Sequence, residues 1–148
     1  MTKTITYWET QAGALDPTRA TPETAGLSLY SMNACKILPR TVQLIETGTG
    51  IQIPTKHFSW IVPQSTLALK GIQVVNGVIE AGYQGELKII LLNTSDENVH
   101  VQKKDRVAQI FIVPVLGGTI TRGQSSPVTT IERKQISSMH EINSGAKI

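Results

Sequence analysis

A chain of 148 residues is the size of one domain and long enough to bury a core. Apolar residues make up 40% and charged residues 17% of it, which excludes wholesale disorder. The formal net charge of +3 is mild and its basic residues are spread out, so nucleic acid is not indicated, and the lone Cys35 excludes an internal disulfide framework. Met1 to Thr10 are polar, without an apolar core of signal-peptide length. No stretch approaches the ~18–20 apolar residues of a membrane span. The expected address is cytosol or nucleus, with no membrane contact.

Along the chain, residues 1–18 read as an N-terminal arm, 19–116 as a β domain and 117–148 as a C-terminal arm. Within the β domain, Val42–Ile45, Phe58–Val62, Ile72–Val75, Leu87–Leu92, Val99–Val101 and Val107–Val115 are β-rich runs. Turn chemistry separates them: Leu38-Pro39-Arg40, Thr47-Gly48-Thr49-Gly50, Asn76-Gly77, Gly82-Tyr83-Gln84-Gly85 and Asp96-Glu97-Asn98. Many short strands with regular punctuation predict an all-β barrel or sandwich. One short helix is predicted over Ser65–Lys70, between Pro63 and Gly71. From about Gly117 the chain turns to Gly, Ser, Thr and charged residues, a tail that is mobile or needs a partner to bury it.

The segment Gln73–Leu92 carries the densest signal. Asn76-Gly77 marks one turn and Gly82–Gly85 another, and small residues there let a ligand approach the backbone. A plain hairpin explains the same spacing.

In order, several segments resemble the five motifs of the trimeric dUTPases, from about Arg19 to Thr130. Arg19-Ala20-Thr21-Pro22 and Ala25-Gly26-Leu27-Ser28-Leu29 resemble the first, in a betaretroviral wording. Pro63-Gln64-Ser65-Thr66 with Lys70-Gly71 resembles the second. The third and closest runs from Gly77 to Glu86, the fourth is Lys104-Asp105-Arg106-Val107-Ala108-Gln109, and Arg122-Gly123-Gln124-Ser125-Ser126-Pro127 is a worn fifth.

The resemblance implies a dUTPase-like distorted jelly-roll, or β-clip, assembled as a homotrimer with sites at subunit interfaces. It further implies hydrolysis of dUTP to dUMP and pyrophosphate, with Mg²⁺ carried on the substrate phosphates. Residue by residue, Tyr83 matches the ring that packs against deoxyribose and excludes a 2′-hydroxyl. The backbone of Gly77, Val78 and Ile79 matches the uracil reader. Ser65 and Gln109 match phosphate contacts, and Arg122 is kept from the fifth motif as a substrate-binding position. Glu80 stands in place of the water-activating Asp.

Other positions depart from the pattern. Ser28 replaces an Asp of the metal-water network, and Gln64 replaces an Arg or Lys that meets the phosphates. Pro127 and Val128 replace the Phe and Gly of the lid. Losing one charge-assisted bond forfeits ~1.5–3 kcal/mol, and a ~1 Å displacement of a base costs on the order of 100-fold. These departures point to a catalytically impaired descendant, of viral or retroelement origin. It would keep the scaffold and weak deoxyuridine-nucleotide binding, and serve an unknown protein partner. The alternative is an active dUTP diphosphatase with Glu80 as base and Lys70, Arg106 or the tail replacing lost groups. A third reading gives the tail (Arg122, Arg133, Lys134, Lys147) a nucleic-acid role.

Bland readings stand beside several of these residues. Ser65 fits a helix N-cap, Asp105 and Arg106 a turn and ion pair, and Trp8 and Trp60 packing. His57, His100 and His140 have no metal-ligand spacing with Cys35. The strand Leu87–Leu92 lacks the acid that related dCTP deaminases use.

Overall fold

A computed structural model describes residues 4–127. Val128, Arg133, Lys134, His140 and Lys147 lie outside these residues. The chain forms two units, Met1–Gly117 and Gly118–Ile148.

The first unit is β throughout except for one short helix, as the sequence predicts. Its strands are β1 (Thr6–Glu9), β2 (Leu27–Tyr30), β3 (Cys35–Ile37), β4 (Val42–Glu46), β5 (Thr49–Gln52) and β6 (His57–Pro63). After α1 (Ser65–Leu69) come β7 (Ile72–Val75), β8 (Val78–Glu80), β9 (Lys88–Asn93), β10 (Val99–Val101) and β11 (Arg106–Pro114). A four-stranded sheet runs β2-β11-β6-β8 and a three-stranded one β4-β9-β7, with two-stranded sheets β1-β5 and β10-β3. No helix among the described residues is long and apolar enough to cross a membrane.

Strict alternation makes β9 a core strand. Ile89, Leu91 and Asn93 point inward and are buried, while Lys88, Ile90 and Leu92 line the other face. Leu29, Ile37, Ile45, Ile51, Ile61, Val107 and Ile110 complete the centre of the core. Each fully buried side chain of this size contributes about 1.5–3 kcal/mol. Asn93 is tolerated there because its amide donates to the Ile37 and Glu97 carbonyls, at 3.0 and 2.7 Å, and its oxygen accepts from Ser95.

Three expectations are corrected. Thr49-Gly50 is strand and not turn, because Gly50 pairs with Trp8 and the indole fills its face. A Cβ there would lie 2.4 Å from the Trp8 ring. Asn76-Gly77 does not close a hairpin: β7 pairs with β9, whereas β8 pairs with β6 in another sheet. Asp105 is not found paired with Arg106; its carboxylate accepts from the Gln102 N–H. The ion pair found among the described residues is Arg40–Asp96, exposed and of little weight.

Of the second unit, residues 118–127 are described. They are exposed and carry no regular element.

Candidate functional site

The closest sequence match falls on β8 and the turn after it. Strand β8 ends its sheet, with Val78, Ile79 and Glu80 opposite Trp60, Ser59 and Phe58. Its outer edge is therefore unpaired and open to a ligand's hydrogen bonds. A concavity of about 470 Å³ opens beside it, lined by Val78, Ile79, Glu80, Tyr83, Lys88 and Ile90, with Asn76 and Gly82 at its margin. A second of about 620 Å³, lined by Lys56, His57 and Val115, shares Val78, Glu80 and Gly82 with the first. Glu80 thus stands exposed on the wall between two concavities, with a lysine lining each. Lys56 and Lys88 were not singled out by sequence, and His57 was weighed there only as a metal ligand. Lys88 was legible as the basic residue opening an otherwise apolar strand.

Tyr83 is 41% exposed. Its amide donates to the Glu80 carbonyl at 3.1 Å and its hydroxyl donates to the Glu86 carbonyl. Gly77 plays a different part from its neighbours, since its carbonyl accepts the Ile61 N–H at 2.8 Å inside the protein.

A second group gathers elsewhere on the sheet. Gln109 of β11 lies opposite both Ser28 of β2 and Val62 of β6. Ser28 is buried, and its backbone is tied to Thr18 by two hydrogen bonds of 2.7 and 3.3 Å. Gln64 follows β6 directly, with its N–H on the Val107 carbonyl at 3.0 Å. Its side-chain oxygen accepts from the amides of Thr66 and Leu67, at 2.9 and 3.4 Å. Gln64, not Ser65, is therefore the N-cap of α1. Ser65 is left exposed at the first helical position, with its hydroxyl not needed for the cap.

These two groups are not brought together within one chain. Glu80 faces Phe58 near the start of β6, while Gln64 follows Pro63 at its end. From Phe58 to Gln64 is six steps along the chain, roughly 20 Å if extended. Arg122 and Pro127 are exposed residues of the second unit.

No group of three His, Cys, Asp or Glu side chains suited to a metal occurs among the described residues. A smaller pocket of about 350 Å³ is lined by Ile5, Tyr7, Arg19, Leu27 and Ile51, of which Arg19 and Leu27 belong to the first motif. There the Tyr7 phenol donates to Asp16, and that hydrogen bond, helped by the carboxylate charge, raises its pKa.

Comparison with known proteins gives one answer at every level. A dUTPase family profile matches residues 13–139. The deoxyuridine 5'-triphosphate nucleotidohydrolase of Tropheryma whipplei is 41% identical over 107 residues, 70% of this chain and 73% of that one. The Hydrogenobaculum protein of the same name is 36% identical over 133 residues, 87% of this chain and 85% of its own. The Variola virus protein is 39% identical over 98 residues, 66% and 67% of the two chains. Among solved structures, a dUTPase of Staphylococcus bacteriophage 80alpha superposes with a TM-score of 0.76 at 20% identity, covering 86% of this chain and 100% of that one.

Proposed function

The chain belongs to the dUTPase family, and from that premise we propose that it hydrolyses dUTP to dUMP and pyrophosphate with Glu80 as general base. The observation that carries the proposal is Glu80 itself, an exposed carboxylate on an unpaired edge strand, sharing a concavity with Tyr83 and Lys88. Relatives about 40% identical bear the name of this activity, which moves the reading away from a non-catalytic descendant.

Each residue has a task in this reading. The free edge of β8 around Val78 hydrogen-bonds uracil, and the Tyr83 ring packs under the deoxyribose. Glu80 takes a proton from water as the water oxygen bonds to the α-phosphorus. The bond from that phosphorus to the bridging oxygen breaks, and pyrophosphate leaves with its electron pair. Ser65, Gln109 and Arg122 contact phosphate oxygens. No cluster of three acidic, His or Cys side chains occurs among the described residues, and in this reading Mg²⁺ would be held by substrate phosphates and water. Bound there, it would offset phosphate charge in the transition state.

The separation of Glu80 from Gln64, Ser65 and Gln109 along β6 supports a homotrimer in which a second copy supplies the phosphate group of residues. The outer face of β4-β9-β7, with Val42, Leu44 and Val75 exposed around Ile90 and Leu92, is an apolar surface suited to burial between copies. The wording of the first motif supports descent from a virus or retroelement, with work in cytosol or nucleus.

A second reading, slowed turnover with binding kept, is favoured by the neutral Ser28 and by the Gln64 amide already committed to its helix. Pyrophosphate release on dUTP, with calorimetric titration of a non-hydrolysable dUTP analogue, separates the two. Release that is lost in Glu80→Gln with binding intact supports the first reading. Binding without release supports the second. Neither binding nor release overturns both.

A further inference from the structure

The residues just outside the motifs converge on the turn that carries Tyr83. Glu86 closes that turn, and its carbonyl accepts the Tyr83 hydroxyl. Gly85 makes this contact possible, since a Cβ there would lie 2.9 Å from the Tyr83 oxygen. The Glu86 carboxylate is held from a distant part of the chain. Its Oε1 accepts from the Thr10 hydroxyl and from the Gln11 amide, each at 2.7 Å.

The same Gln11 nitrogen donates to Glu46 Oε2 at 2.7 Å, and the Thr10 and Gln11 N–H groups both donate to the Gly48 carbonyl, at 2.7 and 3.2 Å. Residues 10 and 11 are thus a strap, anchored on the β4–β5 turn and gripping the far end of the Tyr83 turn. Beyond the grip, the Leu87 N–H donates to the Thr49 carbonyl at 2.8 Å and its side chain is fully buried. Glu86 Oε2 is buried without a hydrogen-bond partner. A carboxylate held this way forgoes hydration on one oxygen, which makes its two strap bonds the interactions that fix its place.

We propose that Thr10, Gln11 and Glu86 are positioning residues for Tyr83, and that through it they set how strictly the site excludes a ribose 2′-hydroxyl. The inference rests on reading the β8 turn as the nucleotide site. A sugar-packing ring discriminates by position. Among the described residues, the hydrogen bonds of Tyr83 run to its own turn, its amide to the Glu80 carbonyl and its hydroxyl to the Glu86 carbonyl, with Gly82 and Gly85 on either side. Releasing the Glu86 carboxylate frees the turn to swing, and a looser ring admits the extra hydroxyl without touching the attacking water.

The test is the double variant Thr10→Val with Gln11→Ala in the full-length protein, assayed on dUTP and UTP and followed by hydrogen–deuterium exchange. The preference for dUTP, as a ratio of kcat/KM, is expected to fall roughly tenfold, as a sub-ångström displacement permits. Turnover of dUTP is expected to hold, and amide exchange across residues 82–86 to quicken. With Gln11 intact, Thr10→Ser, which keeps the hydroxyl on Glu86, should hold the preference that Thr10→Val lowers. Quickened exchange with unchanged preference overturns the specificity role. Unchanged exchange overturns the strap. If the wild-type protein handles neither nucleotide, the reading of the site fails, and exchange still decides whether the strap holds the turn.

Discussion

Gly77 lies directly against Ile61: its carbonyl accepts the Ile61 N–H at 2.8 Å, and a Cβ on residue 77 would sit 2.5 Å from the Ile61 carbonyl oxygen. With Asn76 at φ 57°, this contact turns the chain out of one sheet and lays β8 along β6 in the next. Gly77→Ala must push two backbones apart. The expected cost is about 1–3 kcal/mol, as for other overpacked sites. Urea unfolding checks it: the midpoint should fall with the slope unchanged, while a midpoint equal to wild type would mean the approach is looser than described.

That contact marks where the sequence stopped being legible. Strands β4, β6, β7, β9, β10 and β11 show in the sequence because apolar runs with turn residues on either side announce half-buried strands, and Pro63 and Gly71 bracket α1. Strand β1 is exposed at all four residues, β8 at two of its three, and β3 buries Ile37 without an alternating apolar partner, so no apolar run marks them. Asn-Gly is the strongest short hairpin signal, yet which strand β8 pairs with is decided by Ile61, sixteen residues before Gly77. Glu80 and Tyr83 stand out only through their resemblance to the third motif, since turn chemistry by itself reads as a plain hairpin. The cap made by Gln64 was not legible, since glutamine is no favoured N-cap.

The Gln64 cap predicts a trade between stability and rate. Gln64→Arg supplies the missing cation and removes the oxygen that Thr66 and Leu67 use, costing about 1 kcal/mol. Ser28→Asp alone places an unpaired carboxylate at a site 6% exposed, costing about 3 kcal/mol. Ser28 and Val62 flank Gln109, and Gln64 lies two residues beyond Val62, within reach of a long side chain. The double variant should therefore be more stable than the sum of the singles by at least about 0.5 kcal/mol. Its pyrophosphate release should rise by one to two decades, roughly what a charge-assisted bond supplies. Additive melting shifts with no gain in rate would place the deficit elsewhere.

Cys35 predicts a pH dependence. Burial disfavours its thiolate and raises its pKa from the ordinary 9.0. A group whose folded pKa is raised contributes stability that is complete below the unfolded value and lost as pH climbs through the folded one. Cys35→Ala should therefore flatten the alkaline end of the stability profile while leaving neutral pH little changed in slope. Ellman's reagent, at a pH near 8, should label the folded thiol more slowly than the unfolded one. Equal rates would show that the thiol is not shielded.

In the proposed reaction Glu80 is the base, and its length is the lever. The carboxylate stands one methylene further from β8 than an aspartate would, on the wall shared by two concavities. If a water is held by the phosphates, the extra bond moves the base by about 1 Å, enough to cost on the order of 100-fold in rate. Glu80→Asp should recover part of that in kcat with little change in KM, because the base acts in the transition state and not in binding. Glu80→Gln should abolish release and leave titration by the non-hydrolysable analogue unaltered. Because Glu80 is exposed, neither change should shift the melting temperature. Turnover that survives Glu80→Gln would remove Glu80 as the base and move the search to other groups around the two concavities.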